Sequence, residues 1–228
     1  MEQIILAKKI ELDYRVNEAY KALRTNLQFC GDNIKVITFT SCTPDEGKSS
    51  VSFNIARSFA EIGKKVLLVD ADLRKSVLAG RYKVGEISGG LSHYLSGQME
   101  LDSVIYETDI PNMDIIFSGT YCPNPAELLS HPRFQKMINL LRNEYAYIFI
   151  DTPPLGAVID SAIVAKISDG AVLVIEANAI SYRFAQNVKE QLDKSGCRIL
   201  GAVLNKVSME KNGYYGKYYG KYYSNYSR

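Results

Sequence analysis

An α/β domain, with an open and mostly parallel sheet carrying helices on both faces, is the fold this sequence predicts. Three observations predict it. Its short apolar runs are continuous rather than alternating, as strands covered on both faces of a parallel sheet must be. Helical patterns separate those runs, and Gly63, Gly170 and Gly196 stand where helices or their connections should end. In chain order, a helix is expected over residues 14–29, a strand over 35–41 and a helix over 49–62 closed by Gly63. The run Val66-Leu67-Leu68-Val69 centres a strand over 65–69. Residues 76–125 are less regular, with a strand at 114–117 and room for insertions or short helices. His131-Pro132 marks the entrance of a helix over 132–143, followed by the strand 147–150. A helix over 161–167, a strand over 171–175, a helix over 181–195 and a strand over 198–204 complete the alternation.

The chain has 228 residues, 46% of them hydrophobic, which suits one large domain and excludes wholesale disorder. The expected division is a domain over 1–208 and a tail over 209–228. No apolar run approaches the roughly 20 residues of a membrane helix. The N-terminus, MEQIILAKKIELD, lacks the basic stretch and apolar core of a signal peptide, so a cytoplasmic chain is expected. Cys30, Cys42, Cys122 and Cys197 are scattered without metal-ligand spacing and read as reduced thiols. Neither histidine, His93 or His131, is expected to be catalytic. The last 20 residues carry a net charge of +3, leaving −1 on the other 208 of a total of +2. No broad basic face follows, and no nucleic-acid partner is expected.

The first strand runs into Ser41-Cys42-Thr43-Pro44-Asp45-Glu46-Gly47-Lys48-Ser49-Ser50, and a helix follows. Strand, glycine-containing turn, Lys-Ser and helix is the context in which successive backbone N–H groups wrap a phosphate. Asp45, Glu46, Gly47, Lys48, Ser49 and Ser50 are therefore the candidate nucleotide-binding residues, with Lys48 on the β- and γ-phosphates and Ser49 on Mg²⁺. Cys42 occupies the position of the pattern's first glycine, and a lone Gly-Lys-Ser also occurs at ordinary helix starts. Two more strands end in acids, Asp70-Ala71-Asp72-Leu73-Arg74 and Asp151-Thr152-Pro153-Pro154. Ligands of open parallel sheets sit beyond the strands' carboxyl ends, which brings these acids to the loop. Capping of the next helix explains one such aspartate more easily than three.

Seven of the 16 tyrosines, Tyr214, Tyr215, Tyr218, Tyr219, Tyr222, Tyr223 and Tyr226, lie in the last 15 residues. Gly216 and Gly220 each cost a helix about 1 kcal/mol, so an extended, mobile segment is expected there. Besides phosphorylation, docking on the body or stacking on single-stranded nucleic acid stays open for such a tail.

Together the loop, the D-A-D-L-R and the F-I-D-T-P-P resemble the Walker A, A′ and B motifs of the bacterial tyrosine kinases. More narrowly the chain is similar to the separate cytoplasmic kinase subunits of Gram-positive capsule and exopolysaccharide systems. The resemblance spans nearly the whole chain and implies the P-loop NTPase fold and an ATP- and Mg²⁺-dependent protein-tyrosine autokinase. It implies Asp70 as base for the acceptor phenol, Asp72 and Asp151 around Mg²⁺ with Ser49, and Lys48 with Arg74 on the transferred phosphoryl group. Asn205, beside Lys206, falls where relatives meet the adenine. The family's ring-building ladder E-x-x-R-x-x-R is matched by Glu18, Lys21 and Arg24, with lysine in place of the first arginine. Further implied are a homo-oligomeric ring, a transmembrane activator subunit holding the kinase at the inner membrane face, a cognate phosphotyrosine phosphatase and other protein-tyrosine substrates. Two rivals remain. A positioning ATPase of the division-site or partitioning type would carry a signature lysine where this chain has Thr43. A non-catalytic nucleotide-sensing module would use its tail only for docking.

Overall fold

The computed structural model describes residues 2–7 and 11–208; the tail and its seven tyrosines lie outside them. The elements in chain order are β1 (Glu2–Ile4), α1 (Tyr14–Gln28), β2 (Val36–Ser41), α2 (Lys48–Ala60) and β3 (Val66–Asp70). Then follow α3 (Leu78–Arg81), α4 (Leu91–Leu95), a single 3₁₀ turn, β4 (Tyr106–Thr108), β5 (Met113–Ile116), α5 (Pro125–Ser130) and α6 (Pro132–Leu141). The last elements are β6 (Tyr147–Asp151), α7 (Asp160–Ala165), β7 (Gly170–Glu176), α8 (Tyr182–Asp193) and β8 (Ile199–Asn205). The strands form one sheet in the order β1-β4-β5-β3-β6-β2-β7-β8. Every neighbouring pair is parallel except β4 with β5.

The strands β2, β3 and β5 are buried along their whole length, because each pleat face meets a different helical layer. On one face Phe39, Leu68 and Phe149 pack with Phe53, Ile55 and Phe59 of α2 and with Leu27 of α1. On the other, Leu67, Val69, Ile148 and Ile150 pack with Phe134, Met137 and Leu141 of α6 and Val164 of α7. Burying a side chain of this size is worth roughly 1.5–3 kcal/mol, so the two layers fix the sheet they enclose. Helix entrances are set by the residues before them. Asp13 accepts from the Val16 amide at 2.9 Å and Ser181 from the Phe184 amide at 3.2 Å. His131 caps α6 through Nδ1, which accepts from the Arg133 amide at 3.2 Å, and Pro132 begins the helix.

All six expected strands and five expected helices are present, with ends displaced by at most two residues. One expectation is corrected, and one edge strand is found that no sequence pattern marks. The continuous apolar runs predict strands covered on both faces, but β8 is an edge strand with several exposed positions, and Leu204 is 48% exposed. The N-terminal residues 2–4 form the opposite edge strand, which gains its ladder only by pairing with β4.

Candidate active site

Strands β2, β3 and β6 are neighbours and end at one side of the sheet. The last residues of β3 and β6, Asp70 and Asp151, are register partners, and Phe39 of β2 is the partner of Asp151 on the other side. The turn after β2 is shaped from within. Glu46, 1% exposed, accepts the Cys42 and Thr43 amides on Oε2 at 2.6 and 2.7 Å, and the Glu176 amide on Oε1 at 3.3 Å. Its carboxylate therefore braces the loop instead of facing the cavity, leaving the Glu46 main chain for a phosphate. Gly47 follows at φ 90°, where a Cβ would lie 2.2 Å from Asn205 Nδ2. That amide donates to the Glu46 carbonyl at 2.9 Å, so the end of β8 is tied to the loop. Helix α2 starts at Lys48, and its unpaired N-terminal amides suit an anion. Gly156 allows a second close approach, since a Cβ there would stand 2.1 Å from the Cys42 carbonyl oxygen. Burial, with the Glu46 charge, pushes the Cys42 thiol up to about 12, so it stays protonated; all four cysteines are free.

Between the loop and the exits of β3 and β6 lies a cavity of about 570 Å³ whose walls include Lys48, Ser49, Asp72 and Arg74. Lys48 Nζ stands 3.2 Å from Asp72 Oδ2, 3.7 Å from Asp151 Oδ2 and 3.2 Å from Ser49 Oγ. Burial works against its charge, but Asp151, Asp72 and Asp70 outweigh burial and hold the ammonium above its ordinary pKa. Asp151 is 1% exposed, and burial raises its pKa against the opposing pull of Lys48. Asp70 is 0% exposed; burial, reinforced by the Asp151 charge, pushes it up to about 7. The Ser76 hydroxyl donates to Asp70 Oδ2, and the Asp72 amide donates to Oδ1 at 3.2 Å. Of the three aspartates only Asp72 lines the cavity.

Other predicted residues divide. Asp45, Ser50 and Asn205 line the cavity, the Ser50 hydroxyl accepting from Arg81. Arg74 also lines it, but its guanidinium is held by Asp160. Lys75, Arg81 and Lys206 line it too, and no motif pointed to the first two. Lys206 Nζ donates to the Asp45 carbonyl at 2.7 Å and meets Glu176 Oε2 at 2.8 Å. On α1 the expected stripe is split. Lys21 pairs with Glu18 at 2.7 Å, whereas Arg24 Nη1 donates to the Ser58 carbonyl and hydroxyl of α2 at 2.7 and 2.8 Å.

The donor set fits a metal–nucleotide. Asp151 Oδ1 is buried with no hydrogen-bond partner, and the loop offers a cradle that a Cβ at Gly47 would fill. Among the described residues no three His, Cys, Asp or Glu side chains are grouped to hold a metal by themselves. Magnesium suits such a site, since it commonly takes one or two carboxylates together with substrate phosphates. No helix among the described residues is long and apolar enough to cross a membrane.

Residues 34–198 match the model of a family described as an AAA domain. A tyrosine-protein kinase, CpsD, of Streptococcus pneumoniae is 44% identical over 214 residues, covering 93% of this chain and 94% of that protein. Among solved structures, the chimerical protein CapA2B2 superposes with a TM-score of 0.82 at 28% identity, covering 91% of this chain and 94% of that one. The kinase domain of the Escherichia coli tyrosine kinase ETK gives 0.79 at 33% identity, covering 84% and 77%. More distantly, the septum site-determining protein MinD of Pyrococcus horikoshii, solved with Mg-ADP, gives 0.67 at 27% identity, covering 78% and 72%.

Proposed function

The chain belongs to the bacterial tyrosine kinases of the capsule type, and from that premise we propose that it spends Mg²⁺-ATP on its own C-terminal tyrosines, Tyr214 to Tyr226, in control of capsular or extracellular polysaccharide synthesis. The observation that carries this reading is Lys48, a buried ammonium on the wall of the loop cavity within 4 Å of Asp72 and Asp151. A cation so placed meets the charge of a transferring phosphoryl group in a site of low dielectric, where electrostatic contacts are strongest.

In the transfer, the phenol oxygen bonds to the γ-phosphorus as that atom's bond to the β,γ-bridging oxygen breaks, and ADP leaves. A phenol of pKa about 10 is ionised at only about one part in a thousand at pH 7. Asp70, raised to about 7, is ionised often enough and basic enough to take its proton on a carboxylate oxygen. Each oxygen keeps a lone pair beyond the bond it accepts, Oδ2 from the Ser76 hydroxyl and Oδ1 from the Asp72 amide. Lys48 and Arg74 hold negative charge, while the amides of 45–50 orient the phosphates. Ser49, Asp72 and Asp151 would hold magnesium, which would supply charge neutralisation to the triphosphate.

A tail of 20 residues can span roughly 65 Å, which reaches either its own site or a neighbour's in a ring. Glu18 and Lys21 offer the ring surface, with Arg24 engaged on α2. A transmembrane activator subunit would hold the kinase at the inner membrane face, and a phosphotyrosine phosphatase would reverse the modification. The test is phosphosite mapping by mass spectrometry after incubation with Mg²⁺-ATP, alone and with the membrane partner. Phosphate is expected on the tail, and Lys48→Met should lower it at least 10²-fold. ADP release without phosphotyrosine would point instead to a positioning ATPase, and neither product to a non-catalytic module.

A further inference from the structure

Asp160 is the first residue of α7 and is 0% exposed. A carboxylate that deep needs a partner, and it has one: Arg74 Nε donates to Oδ2 at 2.7 Å and Nη2 to Oδ1 at 3.0 Å. The pair joins the segment leaving β3 to the segment after β6, which are the two acidic exits that border the cavity. Its two ends differ. Asp160 is locked inside the protein, whereas the Arg74 side chain is 40% exposed and lines the cavity beside Lys48 and Asp72. A guanidinium has five N–H donors in one plane; Asp160 takes two along one edge, and three remain. A long side chain fixed by a bidentate fork no longer has to be ordered when a ligand arrives.

We infer that Asp160 is a positioning residue for phosphoryl transfer, holding Arg74 so that the uncommitted edge of its guanidinium meets negative charge in the cavity. The inference rests on the kinase reading above and adds a residue that touches neither nucleotide nor phenol. Arg74 is the group in contact, and Asp160 acts only through it.

The test compares Asp160→Asn, Arg74→Ala and the double variant with wild type. It reads kcat for phosphotyrosine, equilibrium affinity for ATP and for ADP, and melting temperature. Arg74→Ala is expected to lower kcat about 10²-fold and Asp160→Asn about tenfold or more. The double variant should be no slower than Arg74→Ala, because groups acting as one unit are not additive. Affinity for ATP should fall more than affinity for ADP, since the third phosphate is what separates them. A role confined to folding would weaken both nucleotides alike, in step with melting temperature, and its losses would multiply; that pattern overturns the inference. If Asp160→Asn fails to fold, Arg74→Lys keeps the charge without the fork and should show the same loss of kcat; wild-type kcat there also overturns it. Wild-type protein that transfers no phosphate sinks the kinase reading and this inference together. An active wild type with an unaffected Asp160→Asn sinks the inference alone.

Discussion

Lys48 shows how single residues set the chemistry of this site. With Asp72 and Asp151 both within 4 Å, its ammonium balances carboxylates until a triphosphate competes for it. Asp70 is the other residue whose setting makes a measurable difference. Its folded pKa of about 7 lies above its ordinary 3.8, so between those values the native chain keeps a proton that the unfolded chain has lost. Stability of the nucleotide-free protein should therefore fall as pH rises from about 4 to 7, and this fall should shrink in Asp70→Asn. Over the same range the phosphotransfer rate should rise as the base ionises, a limb that the variant lacks. Thermal melts and pH–rate profiles check both signs. Residues with a motif were legible from sequence: Lys48, Ser49, Asp72 and Asp151 meet where the loop pattern and strand ends put them. Sequence marks Glu46 as part of the loop without telling that its carboxylate accepts the loop's own amides. Asp160 was missed because one acid at a helix start reads as a cap.

At the scale of elements, sequence carried the six longer strands and the helices α1, α2, α6, α7 and α8, because an apolar strand or a two-sided helix leaves a pattern in its own residues; it missed α5, which is as long as α7. It carried β1 and β4 poorly. Each is three residues long, and β1 exists only through its pairing with β4, a partner about 100 residues away that no local pattern announces. Helix α1 illustrates a related limit. Glu18, Lys21 and Arg24 share a stripe by spacing, yet Arg24 bends to Ser58 and fastens α1 to α2. Arg24→Glu should thus cost stability, about 1.5–3 kcal/mol for a charged donor to part-buried oxygens, whether or not subunits assemble. Glu18→Lys leaves that bond alone and, beyond the few tenths of a kcal/mol of its exposed pair with Lys21, should change only the assembly. Urea denaturation and light scattering on the two variants separate the effects; full-size oligomers from Glu18→Lys would remove α1 from the interface.

For the whole molecule, the order of the strands matters most. By setting β3, β6 and β2 side by side, the sheet gathers residues 48, 70, 72 and 151 at one end, although they are far apart in the chain. Charge supplies the second whole-molecule effect. The body is close to neutral at −1 and the tail carries +3, so three phosphotyrosines at −1.5 to −2 each reverse the tail's sign. Phosphorylated tails should repel one another and the acidic site, and native mass spectrometry before and after ATP should show looser oligomers; tighter ones would contradict the charge argument. One metal–triphosphate should fill the space between the phosphate loop and the acidic strand tips. A crystal structure with a non-hydrolysable ATP analogue and Mn²⁺, read by anomalous scattering, tests it most directly. A manganese peak is expected among Ser49, Asp72 and Asp151, with the terminal phosphate on Lys48. A peak elsewhere, or a nucleotide bound away from Lys48, would contradict it.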